Sequence, residues 1–213
     1  MEKRDFSLYL ITDRHQTGGR PLVDVVHAAL EGGVRAVQLR EKDLPGSELY
    51  RLATELRRLT VEFGARLIIN DRTDIALAVD ADGVHIGVSS LPVAVTRTLL
   101  GSEKTIGYSA HAITEAHAAH MAGADFVSFG PVFHTPSKAA FGSPCGTEML
   151  AEAVAALALP VIALGGINST NLDETMASAP CGIAVIAALM AAADPRLAAV
   201  SLLKKIEEYA QHS

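Results

Sequence analysis

In several places this sequence sets polar or cationic side chains directly after a short apolar run. Val37-Gln38-Leu39-Arg40-Glu41-Lys42 carries an amide and two cations at alternate positions. On an extended strand that spacing points Gln38, Arg40 and Lys42 to one side. Ile69 leads into Asn70-Asp71, and Tyr108 into Ser109-Ala110-His111. Phe129 leads through Gly130-Pro131-Val132-Phe133 into His134-Thr135-Pro136-Ser137-Lys138. Leu164 is followed by Gly165-Gly166, and Ile186 by Ala187-Ala188. Guanidinium, ammonium and hydroxyl groups beside glycine-rich backbone are what anionic oxygens require, because glycine lets main-chain N–H groups approach unobstructed. Plainer roles also fit single residues. Arg40 and Lys42 suit a loop surface, and Asp71 suits a helix cap. His85, among apolar neighbours, reads as a hydrogen-bonded core histidine, while His27, His117 and His120 read as solvent-facing. Two cations, a Gln and an Asn-Asp pair, all at strand ends, favour a site.

Something must hold these ends together. Apolar runs rich in Val and Ile recur at 8–12, 36–40, 67–70, 83–86, 105–109, 126–130, 161–164 and 182–186. Segments of helical period lie between them, at 21–31, 46–63, 91–100, 114–122 and 147–158. Pro21 and Pro92 suit first-turn positions, and Thr114 is a weak cap. A repeat of roughly 25 residues is close to the least a strand–helix unit occupies, so there is little room for insertions. Eight such units close as a barrel or open as a doubly wound sheet. The open sheet calls for a Gly-rich turn after the first strand, and Thr12-Asp13-Arg14-His15 is not one. The expectation is an α/β chain, residues 1–213, forming a single (β/α)₈ TIM barrel. Gly165-Gly166 and the small residues after the eighth run then fall where such barrels bind phosphate.

Composition narrows the partners. Hydrophobic residues make up 49% of the chain and aromatics 5%, so aliphatic side chains must fill the core. A formal charge of −6 lacks the basic excess that a nucleic-acid or anionic-membrane surface needs. The amino terminus reaches charge too early for a secretory segment, and the apolar stretches at 157–164 and 183–193 are too short to span a bilayer. Cys145 and Cys181 form neither a metal motif nor a disulfide framework. A cytoplasmic protein handling phosphorylated small molecules is expected, with homo-oligomerisation left open.

Six segments then carry a resemblance: VQLREK at 37–42, IINDRTDIALAVDADGVHIG at 68–87, IGYSAH at 106–111, GADFVSFGPVFHTPSK at 123–138, PVIALGGI at 160–167 and GIAVIAAL at 182–189. In this order they closely resemble the thiamin phosphate synthase and TenI family over nearly the whole chain. The resemblance implies a transferase that joins hydroxymethylpyrimidine diphosphate to hydroxyethylthiazole phosphate, with loss of diphosphate. It implies Arg40, Lys42 and Lys138 as diphosphate contacts and Ser109 as a hydroxyl donor to the same group. Gln38 and Asn70 become pyrimidine- and diphosphate-side contacts, and Asp71 a Mg²⁺ carboxylate. Thr135 and Ser137 become a hydroxyl pair near the thiazole, with Gly166, Ile186 and Ala187 forming the thiazole phosphate cup.

One segment departs from that pattern. The synthase-like form of the stretch after the fourth run carries a second acidic Mg²⁺ ligand, and Gly87-Val88-Ser89-Ser90-Leu91-Pro92 sets Ser90 there. Hard cations favour carboxylate oxygens, so the metal site is expected to be weaker. TenI-like relatives imply an alternative, a metal-independent thiazole tautomerase. Its marker histidine is replaced by Pro131, with His134 available as a loop acid or base. A non-catalytic regulator that binds thiazole or thiamin phosphate is the third reading.

Overall fold

The computed structural model describes residues 6–135 and 143–212. Eight parallel strands close in sequence order into one barrel. They are β1 (Leu8–Ile11), β2 (Ala36–Leu39), β3 (Arg66–Asn70), β4 (Gly83–Ile86), β5 (Thr105–Ala110), β6 (Phe126–Phe129), β7 (Val161–Leu164) and β8 (Gly182–Val185). The ring shuts where β1 pairs with β8, Leu10 standing opposite Val185. Around it lie α1 (Leu22–Glu31), α2 (Gly46–Glu62), α3 (Thr73–Ala78), α4 (Val93–Leu100), α5 (Ile113–Met121), α6 (Gly146–Ala156), α7 (Leu172–Met176), α8 (Ala187–Met190) and α9 (Pro195–His212).

The strands are buried on both faces, which is why they read as unbroken apolar runs. In β1, Leu8 and Leu10 join the layer between sheet and helices. Tyr9 and Ile11 point inward to a second cluster with Phe6, Ala36, Ile68, Phe126, Ile162 and Ala184. This inner layer also holds polar groups. The Tyr9 hydroxyl accepts from Gln38 Nε2 at 2.9 Å, and burial pushes the Tyr9 phenol above its ordinary range. His85 Nε2 lies 3.0 Å from Ser109 Oγ and 3.1 Å from Ser128 Oγ. Gly107 makes room for them: a Cβ there would sit 2.3 Å from the Phe126 ring and 2.5 Å from His85 Nδ1.

Several expectations are refined. Pro21 and Pro92 stand one position before α1 and α4, as caps rather than first-turn residues. Ala112, not Thr114, precedes α5. His117 and His120 are exposed, but His27 is half-buried, its ring edge-on to Phe63 at 5.3 Å. β2 ends at Leu39, so the alternation through Gln38, Arg40 and Lys42 breaks: Lys42 lies exposed in the turn before α2. Among the described residues no helix is long and apolar enough to cross a membrane.

Candidate active site

The carboxyl ends of the strands surround a cavity of about 270 Å³. Its walls include Gln38 from β2 and Arg40 just after it, Asn70 from β3, His85 from β4, Ser109 from β5, His134 and Thr135 after β6, Gly166 after β7, and Ile186 and Ala187 after β8. Residues far apart in the chain are thus brought to one place by the barrel. Ile11, Pro131, Leu164 and Ile167 supply an apolar lining. The opposite end of the barrel has a larger, open groove lined by Arg35, Leu157, Pro180 and Lys204, among others, and it holds none of these strand-end groups.

The two sides of the cavity differ in chemistry. Toward β7 and β8, backbone predominates: Gly165 and Gly166 have φ of +106° and +67°. A Cβ on Gly166 would come within 2.8 Å of the His134 carbonyl oxygen, so this crossing admits only glycine. The Asn168 and Asn171 side-chain amides both donate to the Gly166 carbonyl, at 3.1 and 3.0 Å. That fixes the peptide. A small anion set against such backbone would meet N–H groups rather than side chains.

Toward β2, β3 and β5 the side chains carry the polarity. Arg40 is half-buried in the wall. Ser109 is held from beneath by His85 and lies 3.5 Å from Ser128 Oγ. The loop after β5 is tied down by Glu115, which accepts from the Tyr108 hydroxyl at 3.0 Å and from the His111 N–H at 2.8 Å. Burial, aided by that carboxylate, pushes the Tyr108 phenol up to about 12.

Asp71 and Ser90 stand beside this wall and not in the cavity lining. Asp71 does not cap α3; its Oδ2 accepts from Asn70 Nδ2 at 2.8 Å. Its Oδ1 accepts the Ser90 hydroxyl proton, and Ser90 Oγ in turn accepts the Gly87 N–H at 2.8 Å. The two residues assigned to one cation by resemblance therefore do converge. Their donor set is oxygen only, which suits a hard divalent cation, although no cluster of three or more His, Cys, Asp or Glu exists among the described residues. Lys42 is not in the lining, and Ser137 and Lys138 lie outside the described residues.

Sequence reasoning missed three participants. His85, read as core, is 3% exposed and also lines the cavity floor. Gln16, in a 3₁₀ turn after β1, lines the rim. Glu41 is buried at 5% exposure. Only Glu41 gave a signal, as an acid between two cations.

The thiamine monophosphate synthase family (TMP-TENI) matches residues 8–189. The chain is 58% identical to a Geobacter sulfurreducens relative over 203 residues, 95% of each chain. It is 46% identical over 194 residues to the thiamine-phosphate synthase of Moorella thermoacetica, covering 91% of this chain and 92% of that one. Among solved structures, the thiamine phosphate pyrophosphorylase of Pyrococcus furiosus superposes with a TM-score of 0.90 at 40% identity, covering 97% of this chain and 98% of the other.

Proposed function

The chain belongs to the thiamine monophosphate synthase family, and on that premise we propose that it is a thiamin phosphate synthase. It joins hydroxymethylpyrimidine diphosphate to hydroxyethylthiazole phosphate. The observation that carries this reading is one cavity with two unlike sides, a glycine backbone turn and a wall of Arg40, Asn70 and Ser109. One phosphorylated partner suits each side. Full-length relatives that carry the synthase name favour it over the tautomerase and the non-catalytic binder.

The bond changes are few. The carbon–oxygen bond of the pyrimidine methylene breaks, and diphosphate leaves with the electron pair. The thiazole nitrogen lone pair then forms the new carbon–nitrogen bond, giving a thiazolium cation, with no proton transferred between the partners. Negative charge grows on the leaving oxygens, and positive charge on the methylene. Arg40 supplies a guanidinium to the first, with Ser109 and Asn70 as hydrogen-bond donors. Ile11, Leu164 and Ile186 keep water from the second, which would otherwise be captured as an alcohol. Gly166 and Ala187 hold the thiazole phosphate so that its nitrogen faces the methylene.

Asp71, with the Ser90 hydroxyl, would hold Mg²⁺, which supplies further charge neutralisation to the departing diphosphate. With one carboxylate, the remaining ligands must come from substrate oxygens and water. The test is incubation with both substrates and Mg²⁺, following thiamin phosphate. Absence of product, with turnover of a carboxythiazole tautomer instead, would overturn the reading.

A further inference from the structure

The acidic residue between the two cations after β2 sits in a polar network that joins two loops at the barrel mouth. Glu41 Oε1 accepts from the Thr12 hydroxyl at 2.8 Å. Both Glu41 oxygens accept from the Arg14 backbone N–H at 3.2 Å, and Oε2 accepts from Arg14 Nη1 at 3.1 Å. Thr12 Oγ1 meanwhile accepts the Arg40 backbone N–H at 2.9 Å. Arg14 also grips Asp43, its Nη1 and Nη2 donating at 2.5 and 2.6 Å, and His15 Nε2 lies 3.0 Å from the same carboxylate. Thr12-Asp13-Arg14-His15 and Arg40-Glu41-Lys42-Asp43 thus form a clamp across two loops.

Two consequences meet at Arg40. The strand ladder ends at Leu39, so the Arg40 backbone would be free to swing. Thr12 holds it, and Thr12 can accept there because its own proton is committed to Glu41. Secondly, Glu41 and Asp43 are the carboxylates nearest in sequence to Arg40, and both are occupied by Arg14. The Arg40 side chain makes no hydrogen bond or ion pair among the described residues, yet it lines the cavity. Burying a carboxylate is costly unless it is paired and hydrogen-bonded, and Glu41 is both.

We propose that Glu41 is a positioning residue for the anion-binding side of the cavity: with Arg14 and Thr12 it holds the Arg40 backbone and keeps the Arg40 guanidinium free for substrate oxygens. This rests on the synthase reading only for the identity of the substrate. Inorganic pyrophosphate binding by calorimetry tests it without turnover. Glu41→Gln keeps the shape but replaces an acceptor oxygen with an amide NH₂ that cannot receive the Arg14 N–H. It is expected to weaken pyrophosphate roughly tenfold, and Arg40→Ala at least as much. In the Arg40→Ala background, Glu41→Gln should cost less than about twofold more, since its effect passes through Arg40. A merely structural residue would give independent, additive losses, and that result overturns the proposal. Arg14→Met, which frees both carboxylates to capture Arg40, should repeat the pattern if Glu41→Gln folds poorly. A native protein that binds no pyrophosphate also overturns it. One that binds pyrophosphate but makes no thiamin phosphate fails the functional reading alone.

Discussion

Replacing Ser90 by Asp sets a second carboxylate against Asp71, and the structure fixes what must follow. The Ser90 hydroxyl now neutralises part of the Asp71 charge by donating to Oδ1. Losing a hydrogen bond to a charged group costs about 1.5–3 kcal/mol. Two carboxylates about 4 Å apart repel by about 1 kcal/mol in bulk water and about 4 kcal/mol at an effective dielectric of 20; these half-buried groups fall between. Without a divalent cation the variant should therefore be about 2.5–7 kcal/mol less stable, a drop in Tm on the order of 5–28 °C for a chain of this size. Mg²⁺ removes the repulsion and gains a ligand. If 1.4–4 kcal/mol of that returns as binding, the Mg²⁺ needed for half-maximal synthesis should fall about ten- to a thousandfold. Thermal melts in EDTA and in Mg²⁺, with a Mg²⁺ titration of initial rate, read both effects. A Tm in EDTA equal to that of the native protein, with an unchanged Mg²⁺ requirement, refutes the assignment of a cation to this pair.

Other expectations follow from the same geometry. Arg40→Ala should lower kcat/KM for the pyrimidine diphosphate about ten- to a hundredfold, from lost charge-assisted bonds. The KM for thiazole phosphate, on the opposite side of the cavity, should stay within about threefold, as steady-state kinetics will read. Gly107→Ala places a methyl 2.3 Å from the Phe126 ring, and chemical denaturation should show a loss of about 1–3 kcal/mol. Tyr9 and Tyr108 should stay protonated in the folded protein above pH 10, where exposed phenols ionise. Their raised pKa means the folded state holds the proton longer. Stability is therefore full below about pH 10 and falls as pH rises toward 12. Phenolate absorbance that rises for these two only with unfolding, followed by circular dichroism, checks this.

The strands were legible to within a residue at either end, because burial on both faces makes each an apolar run with polar groups at its close. Gly83–Ile86 and Val161–Leu164 match throughout. The short helices α3, α7 and α8 were not foreseen, since four to six residues hold too little of a helical period to read. The long α9, Pro195–His212, was also passed over, being outside any strand-to-strand interval. Of the site, Gln38, Arg40, Asn70, Ser109 and Gly166 could be picked out because a barrel gathers strand ends whatever their spacing. Thr12 could not, because its bond to Glu41, 29 residues away, leaves no local pattern. His85 is the hydrogen-bonded core histidine that its neighbours suggest and also lines the cavity, because in a barrel this small a residue in the packed interior is one layer below the ligand.

That last point bears on how such an enzyme can change. Tyr9, Gln38, His85, Phe126 and Ser128 fill the barrel and underlie the cavity. A substitution that deepens or reshapes the cavity floor to admit another ring must therefore remove atoms on which the eight strands pack. The Arg40 side chain at the rim, which packs no strand against another, carries no such double duty. New specificities in this chain should accumulate at the rim first, while the floor drifts only through paired changes that conserve volume.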